Sequence, residues 1–166
     1  MKYILYFNEI NKEKLNLAGG KGVNLGELFN NKFVVPEGFC VTTEAYDLLV
    51  ENEILKEMIG NLNTLDYKNT ELIAEAGENI RNIITKAEVS EAVKIAVYGA
   101  WNNLGANYSY AVRSSATAED LKEISFAGQQ DTFLNIRGYE NIVEAVRKCW
   151  ASLFNDRAII YRNKNG

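Results

Sequence analysis

The chain has 166 residues, of which 47% are apolar and 24% charged, and its net charge is −4 at neutral pH. This composition is typical of one globular domain or part of one, and a chain of this length needs no metal or disulfide to fold. The negative charge argues against nucleic acid or an anionic membrane as a partner. The chain contains no histidine, which excludes a histidine-dependent triad, a histidine-ligated metal or a phosphohistidine within it.

The two cysteines, Cys40 and Cys149, stand in apolar contexts and are too few to form a disulfide framework. They are interpreted as buried thiols in a reducing compartment, which predicts a cytoplasmic protein. No apolar run is long enough to span a membrane, and the N-terminus is too short and too acidic to be a signal peptide.

The first quarter of the chain predicts short elements separated by loops. They are a strand at residues 3–7, a polar loop at 8–17, a glycine-rich loop at 18–22 and a short helix at 23–29. The only proline, Pro36, opens a tight turn that leads into a second strand. Thr42 or Thr43 can cap the helix that follows.

Apolar residues at helical spacing predict three longer helices, at residues 70–86, 90–104 and 139–154. Ser90 can cap the second of these helices, and Gly105 fits its end. Trp101 and Trp150 fall on apolar faces, so we interpret both as packing residues. An interruption at residues 155–156 precedes a further helical stretch at 157–162.

Two strands, at residues 109–115 and 131–136, are expected to pair with each other. The interspersed strands and helices predict an α+β (mixed α/β) domain with a helical segment inserted at about residues 43–105.

The segment Gly-Gly-Lys-Gly at residues 19–22 stands before a helix. Consecutive glycines can turn backbone amides toward an anion, and Lys21 can add a point charge to a phosphate. The spacing fits neither a Walker loop nor a dinucleotide fingerprint, and a glycine-rich turn with an exposed lysine is the alternative.

The polar stretch at residues 110–136, YAVRSSATAEDLKEISFAGQQDTFLNI, is the strongest candidate for a binding site. Arg113 ends an apolar run, and a guanidinium held at a strand end can pair with two phosphate oxygens at once. Nearby donors and a backbone that permits close approach support a phosphate site; they are Ser114, Ser115, Thr117 and Gly128. The alternative is a plain loop in which Arg113 pairs with Glu119 or Asp120.

Four segments occur together in one order: GGKGVNLGEL, VPEGFCVTTEAY, AVRSSATAEDLKEISFAGQQDTFLNI and CWASLFNDRAIIYR. In this combination nearly the whole chain resembles the N-terminal nucleotide-binding domain of the phosphoenolpyruvate synthase and pyruvate phosphate dikinase family, which includes rifampin phosphotransferase. The resemblance implies an ATP-grasp fold that holds ATP and Mg²⁺ between two subdomains. It also implies a histidine on a swivelling domain, which takes phosphate from ATP and delivers it to an acceptor.

Carried onto this chain, the resemblance implies that Arg113 contacts ATP, and we expect it to bind the triphosphate as the catalytic residue of this chain. The other implied ATP-binding residues are Lys21, Ser114, Ser115, Thr117, Gly128 and Thr132. Glu119 and Asp120 are expected to orient the loop rather than to bind metal. Family nucleotide-binding domains are about twice as long, and their metal-binding acidic residues come later, so we expect no metal ligand in this chain.

The chain is therefore interpreted as the first subdomain of a longer enzyme. Its expected partners are ATP, the remaining subdomain and the phosphohistidine domain. Pyruvate is the favoured acceptor, with a rifamycin antibiotic as the alternative. There are two alternatives of another class. One is a stand-alone binding or regulatory module, which an exposed apolar patch at residues 159–161 would favour. The other is a domain without a ligand, which a buried Arg113 ion pair would favour.

Overall fold

The computed structural model describes residues 2–62, 64–116 and 131–165. Within these ranges the chain forms two small antiparallel sheets and seven α-helices, so the predicted α+β class is confirmed. In chain order the elements are β1 (Ile4–Tyr6), two 3-10 turns (Phe7–Glu9 and Lys12–Lys14), α1 (Leu15–Asn30), β2 (Phe39–Val41), α2 (Thr43–Val50), α3 (Glu53–Leu62), α4 (Thr70–Lys86), α5 (Glu91–Leu104), β3 (Tyr110–Arg113), β4 (Thr132–Ile136), α6 (Tyr139–Ser152) and α7 (Asp156–Asn165).

The first sheet joins the N-terminus to the strand that follows the proline turn. β1 runs antiparallel to β2, with Ile4 opposite Val41 and Tyr6 opposite Phe39. Both strands were predicted, and both are confirmed. Ile4 is buried, and the other three side chains pack against the same main core from partly buried positions.

None of the three hydroxyl residues predicted as helix caps caps its helix through its side chain in the described ranges, and two of them bond elsewhere. Thr42 occupies the position before α2, but its hydroxyl donates a 2.8 Å hydrogen bond to the carbonyl oxygen of Lys2. The Thr43 hydroxyl donates a 2.8 Å bond to the carbonyl oxygen of Asn16. Within the described ranges the Ser90 hydroxyl caps no amide of α5. The cap predictions are wrong because the two threonines tie the N-terminal strand and α1 to this turn.

The second sheet pairs β3 with β4, as predicted. Tyr110 lies opposite Ile136 and Val112 lies opposite Phe133, so β4 contains one extra residue between these two pairs. This β-bulge includes Asn135, whose φ of 58° lies in the left-handed region that asparagine tolerates. Tyr110, Val112 and Ile136 pack against the main core, which leaves the other face of the sheet toward solvent.

The main core forms where α4, α5, α6 and α7 meet. Its residues that are almost wholly excluded from solvent include Ile73, Ile80, Ile84, Val93, Val97 and Ile159. Trp150 is buried and Trp101 packs against the same core, so their interpretation as packing residues is confirmed. No helix in the described part of the chain combines the length and the apolar character needed to cross a membrane.

Helix α1 departs from the prediction at the glycine-rich segment. Residues 18–22 were expected to form a loop, yet α1 runs from Leu15 to Asn30 and is broken only at Gly19, with φ 67° and ψ 173°. The helix restarts at Gly20, so Gly20, Lys21 and Gly22 form its first turn. The loop prediction rested on the low intrinsic helix propensity of glycine. It is wrong because hydrogen bonds from residues 115–116 hold these glycines in a helical turn.

The later helices follow the predicted boundaries closely. α4 spans the predicted residues, and α5 ends at Gly105, whose φ of 129° stops the helix. α6 ends at Ser152 and α7 restarts at Asp156, as the interruption at residues 155–156 predicts. Ile159 of α7 is fully buried, and Ile160 and Tyr161 are partly buried, so the exposed patch that a stand-alone module would present is not found at residues 159–161.

Two helical glycines offer a matched test of the packing. A Cβ on Gly77 of α4 would lie 2.8 Å from both Ile159 Cδ1 and the Phe154 carbonyl oxygen, whereas a Cβ on Gly99 of α5 would meet no atom within 4 Å. Gly77→Ala should therefore lower the free energy of unfolding by about 1–3 kcal/mol through overpacking. Gly99→Ala should raise it by about 0.5–1 kcal/mol through helix propensity. Urea unfolding measures both, and equal effects of the two variants would contradict this packing.

Two buried thiols and a buried tyrosine hydroxyl predict that the protein loses stability at alkaline pH. Burial raises the pKa of the Cys40 and Cys149 thiols from about 9 to about 12, and that of the Tyr46 hydroxyl from about 10 to about 12. The folded protein therefore keeps protons that the unfolded chain releases, so this stabilisation is complete below pH 9 and is lost as the pH rises to 12. Urea unfolding midpoints across this range should fall less steeply in the Cys40→Ala/Cys149→Ala variant than in the parent. Identical slopes would contradict the raised thiol pKa values.

Candidate functional site

The candidate site begins where the end of β3 meets the first turn of the restarted helix in α1. The Gly20 amide donates a 3.0 Å hydrogen bond to the Ala116 carbonyl oxygen, and the Gly22 amide donates a 3.1 Å bond to Ser115 Oγ. These bonds join segments that lie more than ninety residues apart in the chain. We call this pair of contacts the helix–strand junction.

Gly19 is the residue that allows the junction to close. A Cβ at this position would lie 2.5 Å from Ser115 Oγ and 2.8 Å from both the carbonyl carbon and oxygen of Ser115. These distances are shorter than any van der Waals contact, and the φ of 67° disfavours a side chain as well. The glycine therefore serves close approach of two backbones.

The junction changes the interpretation of the glycine-rich segment. The amides of Gly20 and Gly22 were expected to face an anion, but in this structure both donate to protein oxygens. A helix N-terminus leaves its first amides without helical partners, and here residues 115 and 116 satisfy two of them. The contribution of this turn to an anion site therefore rests on the positive end of the helix and on Lys21.

Arg113 and Thr132, both predicted as site residues, lie directly opposite each other in the register of β3 and β4. Opposed residues in an antiparallel pair point to the same face of the sheet, and both of these are exposed. Among the described residues, none forms a side-chain hydrogen bond or a salt bridge with the Arg113 guanidinium, whose backbone belongs to the β3–β4 ladder. The structure thus places a guanidinium and a hydroxyl side by side on the open face of the second sheet.

Lys21 lies close enough to Cys149 of α6 for its charge to act on that thiol. It is partly buried, and its charge acts to lower the pKa of the Cys149 thiol, against the dominant effect of burial and the opposing charge of Asp131. The Asp131 amide in turn lies 3.4 Å from Ser152 Oγ. Lys21 and Asp131 therefore both act on Cys149 from nearby, and Asp131 directly precedes Thr132, the first residue of β4.

The hydroxyl residues after Arg113 have different environments. Ser114 is buried, with 8% of its surface exposed, whereas Ser115 is partly buried and accepts the bond from the Gly22 amide. Thr117 and Gly128 lie outside the described residues, as do Glu119 and Asp120. The alternative in which Arg113 pairs with one of those two acidic residues also falls outside the described part of the chain.

Three participants were missed from the sequence. Ala116 contributes only its carbonyl oxygen, and nothing in a side-chain pattern marks such a role. Asp131 stands next to Thr132 and adds negative charge beside Lys21 and Cys149. Ser152 is a buried serine on α6 whose hydroxyl donates to the Cys149 carbonyl oxygen at 2.8 Å. The one signal in the sequence was Ser152 itself, a polar residue at the end of the apolar face of α6.

The donor set of the site suits an anion rather than a metal. Arg113, Lys21 and Thr132 supply positive charge and hydrogen-bond donors. In the described ranges, no three histidine, cysteine, aspartate or glutamate side chains are grouped so that they could hold a metal ion. The described residues thus have the charge and the donors that phosphate groups require.

Comparison with known proteins finds relatives that match almost the whole chain. Rifampicin phosphotransferase of Bacillus cereus is 48% identical over 166 residues, which cover 99% of this chain and 19% of that protein. Probable phosphoenolpyruvate synthases of Methanothermobacter thermautotrophicus and Methanocaldococcus jannaschii are 46% and 44% identical; the matches cover 99% and 100% of this chain, and 25% and 14% of those proteins. The chain thus spans a quarter or less of these relatives.

Residues 15–166 match the family described as "Pyruvate phosphate dikinase, AMP/ATP-binding domain". The match includes the helix–strand junction and the paired residues Arg113 and Thr132. The chain therefore belongs to the pyruvate phosphate dikinase AMP/ATP-binding domain family.

Proposed function

We propose that this chain is the ATP-binding part of a multidomain ATP-dependent dikinase or phosphotransferase. In the proposed enzyme, ATP phosphorylates a histidine on a separate swivelling domain, which passes the phosphate to an acceptor. Membership of an AMP/ATP-binding family supports the nucleotide, and the small share of each relative that the chain covers supports a longer enzyme. The observation that carries the proposal is the pairing of Arg113 with Thr132 on an exposed sheet face beside the junction that bears Lys21.

Arg113 and Lys21 are the proposed ligands of the triphosphate. Phosphoryl transfer depends mainly on positioning and on neutralising the charge that develops on the transferred group, which two cations can do from two sides. Arg113 is exposed and has a planar fork suited to two phosphate oxygens, so it is assigned to the transferred phosphate. Thr132 is assigned to the nucleotide from the neighbouring strand.

The stretch after Arg113 is proposed to lie over the phosphates. It contains Ser114, Ser115 and Thr117, and Gly128 is proposed to allow the cover to approach the nucleotide closely. The partial burial of Ser115 beside the helix start supports its place next to the phosphates. Mg²⁺ is proposed to bind through acidic residues outside this chain.

The open sheet face supports a two-part site. We propose that the chain is the first subdomain of an ATP-grasp domain, with a helical segment at about residues 43–105 inserted in it, and that the remaining subdomain closes on the exposed face of β3 and β4. In the half-open site each cation faces ATP in a high dielectric, where a contact contributes only about 1 kcal/mol. Closure by the other subdomain would exclude water and strengthen the same contacts.

The acceptor is proposed to be pyruvate, with a rifamycin antibiotic as the alternative. Relatives named for each activity match this chain at similar identity, since both share the ATP-binding part. The exposure of Arg113 disfavours a domain without a ligand, and the burial of Ile159 disfavours a stand-alone binding module. The two unpaired thiols support the proposal that the protein works in the reducing cytoplasm.

The two cations can be tested in the full-length protein. Arg113→Ala and Lys21→Ala should each lower kcat/KM for ATP by about a hundredfold or more without lowering the melting temperature, because each removes charge from the transition state. ATP consumption is measured with pyruvate in one arm and rifamycin in the other, which also separates the two acceptors. Arg137→Ala, at the opposite end of the same sheet, is the matched control and should leave kcat/KM unchanged. Retained activity in Arg113→Ala would remove that residue from the site.

The isolated chain provides a second test. We expect calorimetric titration of residues 1–166 with ATP to give a dissociation constant in the millimolar range or no measurable heat, and no turnover, because the site lacks its closing half. The titration is repeated with and without Mg²⁺. Micromolar affinity in either titration would contradict the two-part site.

A further inference from the structure

The helix that restarts at Gly20 in α1 is capped by a residue that is distant in the sequence. Serine at the position before a helix commonly caps the amide three residues on. Here that position is Gly19, which has no side chain, and the amide of Gly22 is capped by Ser115 from the end of β3. The helix can therefore acquire this cap only when β3 is in place.

The cap also links the segments that carry the two proposed ATP-binding cations. Lys21 directly precedes Gly22, and Arg113 stands two residues before Ser115. One hydrogen bond, from the Gly22 amide to Ser115 Oγ, thus sets the turn that carries one cation against the strand end that carries the other. The parallel bond from the Gly20 amide to the Ala116 carbonyl oxygen prevents the turn from rotating about the first bond.

We propose that Ser115 is a positioning residue, which holds Lys21 in register with Arg113 through its bond to the Gly22 amide instead of acting as a direct phosphate ligand. This inference rests on the proposed function, because it assigns Ser115 a role within that ATP site. The Ser115 hydroxyl oxygen accepts the bond from the Gly22 amide. This role needs a hydroxyl at position 115, and it does not need ATP to touch that hydroxyl. The consequence is that loss of the Ser115 hydroxyl weakens ATP binding only as long as Lys21 is present.

The first experiment compares Ser115→Ala with Ser115→Thr in the full-length protein. Ser115→Ala should raise the dissociation constant and the KM for ATP about fivefold, the change that corresponds to a typical helix cap. Ser115→Thr keeps the acceptor and should restore ATP affinity to within about twofold of the parent. If Ser115→Ala does not fold, Ser115→Cys preserves the size of the side chain with a weaker acceptor, and the same comparison is made with it.

The control is another helix cap in the same chain. Asn69 Oδ1 accepts a 3.2 Å hydrogen bond from the Leu72 amide at the start of α4, which packs against α3, α6 and α7. Asn69→Ala should lower the melting temperature and leave the KM for ATP unchanged. If Ser115→Ala behaves like Asn69→Ala, with a lower melting temperature and an unchanged KM, the Ser115 cap is structural only and the proposal is overturned.

A double-mutant cycle with Lys21→Ala separates positioning from direct contact. If Ser115 acts through Lys21, Ser115→Ala should have almost no further effect on the ATP dissociation constant in the Lys21→Ala background. A full fivefold effect in that background would overturn the proposal and assign Ser115 to the phosphates directly. Failure of the proposed function looks different, since Lys21→Ala and Arg113→Ala would then bind ATP as the parent does, and the positioning role would fall with them.

Discussion

The contact between residues 19–22 and residues 115–116 joins the two halves of the described chain at the candidate site. Two backbone amides at the start of a helix need acceptors, and the end of β3 supplies them through one hydroxyl and one carbonyl oxygen. The approach is possible only because Gly19 lacks a Cβ and accepts a positive φ. The contact between the turn that carries Lys21 and the end of β3 therefore depends on the missing side chain at Gly19 and on two hydrogen bonds.

The second sheet has a covered face and an open face, and the proposed ATP-binding residues of β3 and β4 stand on the open face. On one face Tyr110, Val112 and Ile136 pack against the core, so they hold β3 and β4 on the helices. On the other face Arg113 and Thr132 stand exposed in one register pair. A site built on strands that are held from behind is more rigid than a site built on a loop, which suits a reaction that depends on placing phosphates.

Near the helix–strand junction a buried neutral thiol, Cys149, lies close to two charged side chains, Lys21 and Asp131. Burial keeps the Cys149 thiol protonated, and the charges of Lys21 and Asp131 act on it in opposite directions. The two thiols of the chain are therefore poor nucleophiles at neutral pH and belong to the packing. The proposed phosphate contacts therefore come from the cations Lys21 and Arg113, and the thiols are not part of them.

Local patterns in the sequence were sufficient for the helices from α4 onward, for the pairing of β3 with β4 and for the position of Arg113 at the end of β3, because apolar periodicity and a cation at a strand end are properties of short segments. Membership of the family was also readable, since four motifs occur in one order. The sequence did not predict three features: the helical state of residues 20–22, the hydrogen-bond partners of Thr42 and Thr43, and the use of Ser115 as a helix cap. Each depends on atoms brought together from distant parts of the chain: glycine has a low helix propensity when considered locally, and a hydroxyl takes whichever donor or acceptor the folded chain places beside it.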